Sequence, residues 1–201
     1  MNRTGRLISF EGIDGTGKST QIVLLANQLE KRGFTVIVSR EPTDGVYGKK
    51  IRELYNDRSS VTKEEELELF LKDRQEHVEN LIIPSLQQGK LVLTDRYYLS
   101  TAAYQGAAGM NVEEILTRNE AFAPPPDLAI IIEMPPEESV RRIEQYRNES
   151  LNDFEKESYL HKVAQLFSGI HRNYIRRVDG QKNIDTVHTA IMVHVNELLR
   201  H

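Results

Sequence analysis

The sequence predicts an α/β fold of three layers, α/β/α, built on a five-stranded parallel sheet. Three observations carry that prediction. Short β-rich apolar runs alternate with longer stretches of helical periodicity along the chain. Several of these runs are apolar at consecutive positions, as strands covered on both faces must be. A glycine-rich loop joins the first run to the first helical stretch, an order that turns a helix N-terminus toward an anion.

Strands are expected at Leu7–Phe10, Thr35–Ser39, Leu91–Thr94 and Leu128–Glu133, with a weaker fifth near Asn183–Ile184. Ile22, Leu25, Ala26 and Leu29 recur at helical spacing, and Gly33 supplies a stop. Thr62 with Glu65, and Asn111 with Glu114, have the spacing of helix N-caps with a capping box. A long amphipathic helix is expected along Tyr159, Val163, Leu166, Phe167, Ile170 and Tyr174, and a last one from about Val187 to Leu199. With no repeat, low-complexity tract or linker, residues 1–201 read as a single domain.

Bulk composition narrows the partners. Thirty acidic residues against 26 basic ones give a formal net charge of −4, which argues against nucleic acid or an anionic membrane surface as the main partner. The absence of cysteine rules out disulfides and thiolate metal sites. No stretch approaches the roughly 18 apolar residues of a membrane span, and the N-terminus has no secretory apolar region. A cytoplasmic protein is therefore expected. The six histidines lack the spacing of a metal pair on one helix face and read as structural or solvated.

The glycine-rich loop is the sharpest signal. Gly12-Ile13-Asp14-Gly15-Thr16-Gly17-Lys18-Ser19 fits the pattern GxxxxGK(S/T) at every fixed position, followed by Thr20. The fold expected is thus of the P-loop NTPase type. Glycines let successive N–H groups turn inward onto phosphate oxygens. Lys18 would neutralise the β and γ phosphates, and the Ser19 hydroxyl is a hard oxygen suited to Mg²⁺. Three classes share such a loop: small-molecule kinases, GTPase switches and working or regulatory ATPases. A guanine-reading Asn-Lys-x-Asp is missing, since Lys182-Asn183-Ile184-Asp185 has its first two residues reversed. After Leu91–Thr94 the chain reads Asp95-Arg96-Tyr97 rather than Asp-Glu. An arginine there suits a second anion beside the first, which favours a kinase with a phosphorylated acceptor.

Further blocks make the chain resemble the thymidylate kinases. They are Phe10-Glu11-Gly12 through Ser19-Thr20-Gln21, Arg40-Glu41-Pro42, Phe70 with Asp73-Arg74, Asp95-Arg96-Tyr97, Ser100, Ala103-Tyr104-Gln105-Gly106 and Pro126-Asp127-Leu128. The resemblance covers roughly residues 7–175. It implies transfer of the γ-phosphoryl of ATP to dTMP with Mg²⁺, in a homodimer, with a helical lid at about 141–155. Carried over by position, Arg40 and Arg96 would grip the dTMP phosphate beside Glu41 and Pro42, and Phe70 would stack on thymine. Arg74 would bond a base oxygen, Tyr104 would sit under the deoxyribose, and Ser100 and Gln105 would add polar contacts. Asp14 would lie between phosphates and metal, with Asp95 behind it. Read without the neighbouring blocks, Phe70 would be core and Arg74 a surface ion pair. The alternatives are a kinase for dUMP or UMP and a P-loop regulator without turnover.

The chain departs from the family's pattern at several places. Thr43-Asp44-Gly45-Val46-Tyr47-Gly48 replaces a glycine-rich string, and Ile132-Glu133 stands where Leu-Asp is usual. Some members carry an arginine inside the P-loop, where this chain has Gly15. Others carry it in a lid string Asp-Arg-x-Glu, here Asp153-Phe154-Glu155. Among the lid arginines, Arg141 and Arg142 are spaced for helical pairs with Glu137 and Glu138. By family position Arg142 would lie against adenine; Arg147, which follows the helical stretch in a polar loop, is the candidate to reach the transferring phosphoryl.

Overall fold

Five parallel strands, β1 (Arg6–Glu11), β2 (Val36–Arg40), β3 (Leu91–Asp95), β4 (Leu128–Glu133) and β5 (Ile175–Asp179), line up in the order β2-β3-β1-β4-β5. The coordinates are a computed structural model that describes residues 4–55, 60–146, 154 and 156–200. Alternate residues of the central strands feed two cores. Ile8, Phe10, Leu93, Ile130 and Ile132 pack against α1 (Lys18–Lys31) and α9 (Ile184–Leu198) through Ile22, Leu25, Leu29, Val187 and Ile191. Leu7, Val92, Ala129 and Ile131 face the other way, toward Leu67 and Leu71 of α3 (Lys63–His77), Leu99 of α5 (Tyr98–Ala107) and Val163 of α8 (Glu157–Gly169). Both faces are covered, hence the continuous apolar runs. The three-layer α/β/α fold is the one expected.

Side-chain caps set the starts of three helices among the described residues. The Thr62 side chain accepts from the Glu65 N–H at 3.2 Å while Glu65 Oε2 accepts from the Thr62 N–H at 2.8 Å, the full capping box. At Asn111, which opens α6 (Val112–Glu120), Oδ1 accepts from the Glu114 N–H at 3.1 Å. The remaining helices are α2 (Val46–Glu53), α4 (Ile83–Gln87), which continues α3 through a π-helical turn at Val78–Ile82, and α7 (Pro136–Tyr146). Among the described residues no helix is long and apolar enough to cross a membrane.

Two expectations are corrected. The fifth strand is Ile175–Asp179 and not Asn183–Ile184; Asn183 instead caps α9, its Oδ1 accepting from the Thr186 N–H at 2.9 Å. The helix expected to run to Tyr174 ends at Gly169. An edge strand needs few apolar residues, so Arg176 and Arg177 disguise β5. Arg177 also ends α8: its Nη2 donates to the carbonyls of Phe167 at 2.8 Å and Ile170 at 2.9 Å, groups that a longer helix would have bonded internally.

Register positions the site. Phe10 of β1 and Arg40 of β2 both lie beside Asp95 of β3, so Glu11, Gly12, Glu41 and Arg96 emerge together at one end of the sheet. Open parallel sheets bind ligands at this end.

Candidate active site

The loop after β1 wraps the way its glycines allow. Gly15 has φ +76°, and a Cβ on it would come within 2.7 Å of the Ser139 carbonyl oxygen of α7. Gly17, at φ 92°, is the N-cap of α1. The buried Lys18 points back into the loop, its Nζ donating to the carbonyls of Ile13 at 2.8 Å and Gly12 at 3.2 Å. Burial, and then the nearby Arg96 charge, lowers its pKa to about 8. In the first turn of α1 the Ser19 hydroxyl donates to Asp95 Oδ2 at 2.5 Å. Two hard oxygen donors thus meet beside a helix N-terminus, a set whose chemistry fits Mg²⁺.

Arg96 is the centre of the second half. It is the one non-glycine residue with positive φ (69°) among those described, a strained backbone that persists only when its surroundings over-determine it. Here its N–H donates to the Phe10 carbonyl at 2.8 Å and its carbonyl accepts from Thr94 Oγ1 at 2.8 Å. Nη1 then donates to the Gly12 carbonyl and to Ser100 Oγ, both at 3.1 Å. Nη2 donates to Asp14 Oδ1 at 2.7 Å and to the Tyr104 hydroxyl at 3.2 Å, with the guanidinium 4.9 Å from the Tyr104 ring centre. The Tyr104 hydroxyl completes the cycle by donating to Asp14 Oδ2 at 2.9 Å. Asp14, expected among the metal ligands, therefore faces Arg96 and Tyr104, while Ser19 and Asp95 pair with each other.

Arg74 lies deeper than expected. It is 1 % exposed, and Glu41 Oε2 accepts from its Nη2 at 2.5 Å. Without the neighbouring blocks Arg74 reads as a surface ion pair; a pair exists, with Glu41, but it is buried. Thr101 Oγ1 accepts from Nη2 at 3.0 Å, Asn119 Oδ1 accepts from Nη1 at 2.5 Å, and Nε has no partner. Glu41 Oε1 meets His77 Nδ1 at 2.9 Å, and His77 Nε2 meets Ser39 Oγ at 2.7 Å. Phe70, one turn before Arg74 on α3, is half-buried. Gln105 is fully buried, with its Nε2 donating to Glu66 Oε1 at 3.0 Å. Arg40 is exposed and donates to Asp44 at 2.8 Å.

A model of the thymidylate kinase family matches residues 10–191. The chain belongs to the thymidylate kinase family. A thymidylate kinase of Desulfotalea psychrophila is 56 % identical over 199 residues, spanning 99 % of this chain and 98 % of that one. Others from Akkermansia muciniphila and Xanthomonas euvesicatoria pv. vesicatoria are 46 % and 40 % identical, over 92 % and 91 % of this chain and 88 % and 80 % of theirs.

Where some thymidylate kinases place an arginine in the P-loop, α7 leaves this chain no room. Besides the close approach of Ser139 to Gly15, the Ser139 hydroxyl donates to the Asp14 carbonyl. Further along α7, Arg141 pairs with both oxygens of Glu138, at 2.8 and 2.6 Å. Arg142 reaches inward, donating to Glu138 and to the Gly180 carbonyl between β5 and α9, both at 3.3 Å. Phe154 is buried against Tyr55, Tyr104 and Tyr159, at ring-centre separations of 5.4, 6.2 and 6.3 Å. Arg147, Asp153 and Glu155 lie outside the described residues.

Sequence reasoning gave Glu11 no role. The structure buries it completely, its Oε2 accepting from the Ser100 N–H at 3.1 Å and hydroxyl at 2.5 Å. Burial pushes its pKa up to about 7 against the lowering pull of the Ser100 bond and of Arg96. A carboxylate closing an apolar strand was the signal that could have found it.

Proposed function

We propose that this chain transfers the γ-phosphoryl group of ATP to dTMP, forming dTDP and ADP. One observation carries the reading. A single guanidinium, Arg96, bonds the carbonyl that opens the P-loop and also Asp14 and Tyr104, which supports a reading in which one cation serves both the triphosphate and the acceptor.

In this reading the N–H groups of Gly12 to Thr20 and the Lys18 ammonium hold the triphosphate. Lys18 exchanges the loop carbonyls it now bonds for phosphate oxygens. Ser19 and Asp95 would hold Mg²⁺, while Asp14 is taken up by Arg96 and Tyr104. When bound, that ion supplies positive charge to the β and γ oxygens. Arg142 packs on the adenine, a role supported by its position between α7 and the loop after β5. On the acceptor side, Arg40 and Arg96 bind the dTMP phosphate next to Glu41 and Pro42. Phe70 stacks on the base and Ser100 adds a polar contact, while the buried Arg74 and Gln105 brace the pocket from behind through Glu41 and Glu66. Tyr104 packs under the deoxyribose, where a 2′-hydroxyl would clash.

Phosphoryl transfer needs orientation and positive charge more than proton chemistry. The acceptor is already an ionised phosphate, so no side chain has to act as a strong base. Asp14 holds Arg96 in place, and Arg96 and Lys18 approach the transferring group from two sides. Arg147, on a lid spanning about 141–155, brings a third cation and helps exclude water. The whole chain acts as one kinase domain in the cytoplasm, as a homodimer.

A coupled assay of ADP release with purified protein and ATP tests the proposal. Release should depend on added dTMP, with dUMP, UMP and dCMP used less well. ADP release indifferent to any monophosphate would overturn it.

A further inference from the structure

Glu11 stands at the end of β1, behind the acceptor side of the site. Its Oε2 receives both the backbone N–H and the hydroxyl proton of Ser100, a residue in the first turn of α5. A serine hydroxyl has one proton and two lone pairs to offer. At Ser100 the proton goes to Glu11, at 2.5 Å. One lone pair accepts from Arg96 Nη1 at 3.1 Å, and a guanidinium cannot accept in return. Ser100 is 5 % exposed, so bulk water does not offer the hydroxyl another partner. What remains for a ligand is a single lone pair, which only accepts.

We propose that Glu11 is a positioning residue that sets base specificity. By holding the Ser100 hydroxyl proton, it makes Ser100 Oγ an acceptor toward the base of the acceptor nucleotide. Such an oxygen matches a pyrimidine whose N3 carries a hydrogen, as in thymine and uracil. It opposes cytosine, whose N3 presents a lone pair. In a buried site that mismatch leaves two acceptors facing each other without a proton, which costs far more than the loss of a matched bond gains elsewhere. Glu11 touches neither substrate; it acts through Ser100. The inference rests on the proposed placement of Ser100 beside the acceptor base.

The test compares kcat/KM for dTMP, dUMP and dCMP in the wild-type protein and in Glu11→Met, Glu11→Gln and Ser100→Ala. Assays run at pH 8, above the pKa of about 7 that burial gives Glu11. Methionine keeps the length of the side chain and removes the acceptor, whereas glutamine keeps an oxygen that can still receive both Ser100 donors. Glu11→Met should lower the dTMP-to-dCMP ratio by about tenfold or more, and Glu11→Gln should restore most of it. The dTMP-to-dUMP ratio should not move in either variant, because both bases carry the N3 hydrogen. General damage to the site would shift the two ratios together. An unchanged dTMP-to-dCMP ratio in Glu11→Met, or a parallel shift of both ratios, overturns the proposal. If Glu11→Met does not fold, Ser100→Ala decides: a selective fall in the dTMP-to-dCMP ratio supports the role, and an unchanged ratio ends it. Wild-type protein that takes dCMP as readily as dTMP would instead refute the reading of the acceptor, a separate result.

Discussion

Asp14 Oδ1 and Arg96 Nη2 lie 2.7 Å apart, joining the middle of the P-loop to the residue that follows β3. Burial alone would raise the Asp14 pKa, but Arg96, Lys18 and the Tyr104 hydroxyl together bring it down to about 2. A depressed carboxylate stabilises the fold above its ordinary pKa and loses that contribution as pH falls through the depressed one. Asp14→Asn should therefore be less stable than wild type at pH 7, with the gap narrowing as pH drops from about 4 toward 2. Thermal unfolding across this pH range measures it. A gap constant with pH would mean the pair does not carry the effect.

The Lys18 pKa is lowered too, but for a lysine that disfavours the charged form. A pKa of about 8 leaves Lys18 largely neutral at pH 9. Phosphate oxygens would favour the charged form, so ATP binding at pH 9 should take up most of a proton and weaken as pH rises further. Calorimetry in buffers of different ionisation enthalpy reads that uptake directly. Lys18→Ala should abolish the uptake and lower kcat by about 10² or more. Its melting temperature should hold, because a lysine with a lowered folded pKa costs stability at pH 7 rather than adding to it.

Tyr104 has two separable parts. Tyr104→Phe keeps the ring and removes the bonds to Asp14 and Arg96; it should raise the KM for dTMP by about tenfold and retain sugar selectivity. Tyr104→Ala opens space beside C2′ and should narrow the preference for dTMP over its ribose counterpart. Equal selectivity in wild type and Tyr104→Ala would remove the tyrosine from that role.

Arg40→Ala and Arg96→Ala should each raise the KM for dTMP well above any change in the KM for ATP. Only Arg96→Ala should also lower kcat, since Arg40 is exposed and tied to Asp44 while Arg96 bridges both halves. A selective loss of ATP affinity would put the acceptor on the other side of the sheet.

The lid arginines should divide three ways. Arg141, exposed and paired with Glu138, should tolerate alanine with little effect. Arg142→Ala should raise the KM for ATP. Arg147→Ala should lower kcat by about 10³ or more with thermal stability unchanged, the signature of an arginine finger. Normal turnover in Arg147→Ala with a collapse of kcat in Arg142→Ala would move the finger to Arg142.

Four strands and the starts of α1, α3 and α6 were legible because their signals are local. Thr62 and Glu65 are three residues apart, and each needs only the other. β5 was hidden because an edge strand with one protected face tolerates Arg176 and Arg177, and because Arg177 serves the end of α8. At the site, the sequence pointed to Arg74 but not to its burial, because Glu41, Thr101 and Asn119 come from three other parts of the chain.

The sequence by itself determined the phosphate loop, the α/β order around it and the family. The loop is eight consecutive residues whose glycines, lysine and serine act through the backbone they share. Only the tertiary structure decided what Glu11, Glu41, His77 and Phe154 do. Glu11 meets Ser100 across 89 residues, and Glu41 meets His77 across 36. Such contacts depend on which strands end side by side and on the low-dielectric interior that makes each buried charge seek a partner. No spacing along the chain records that.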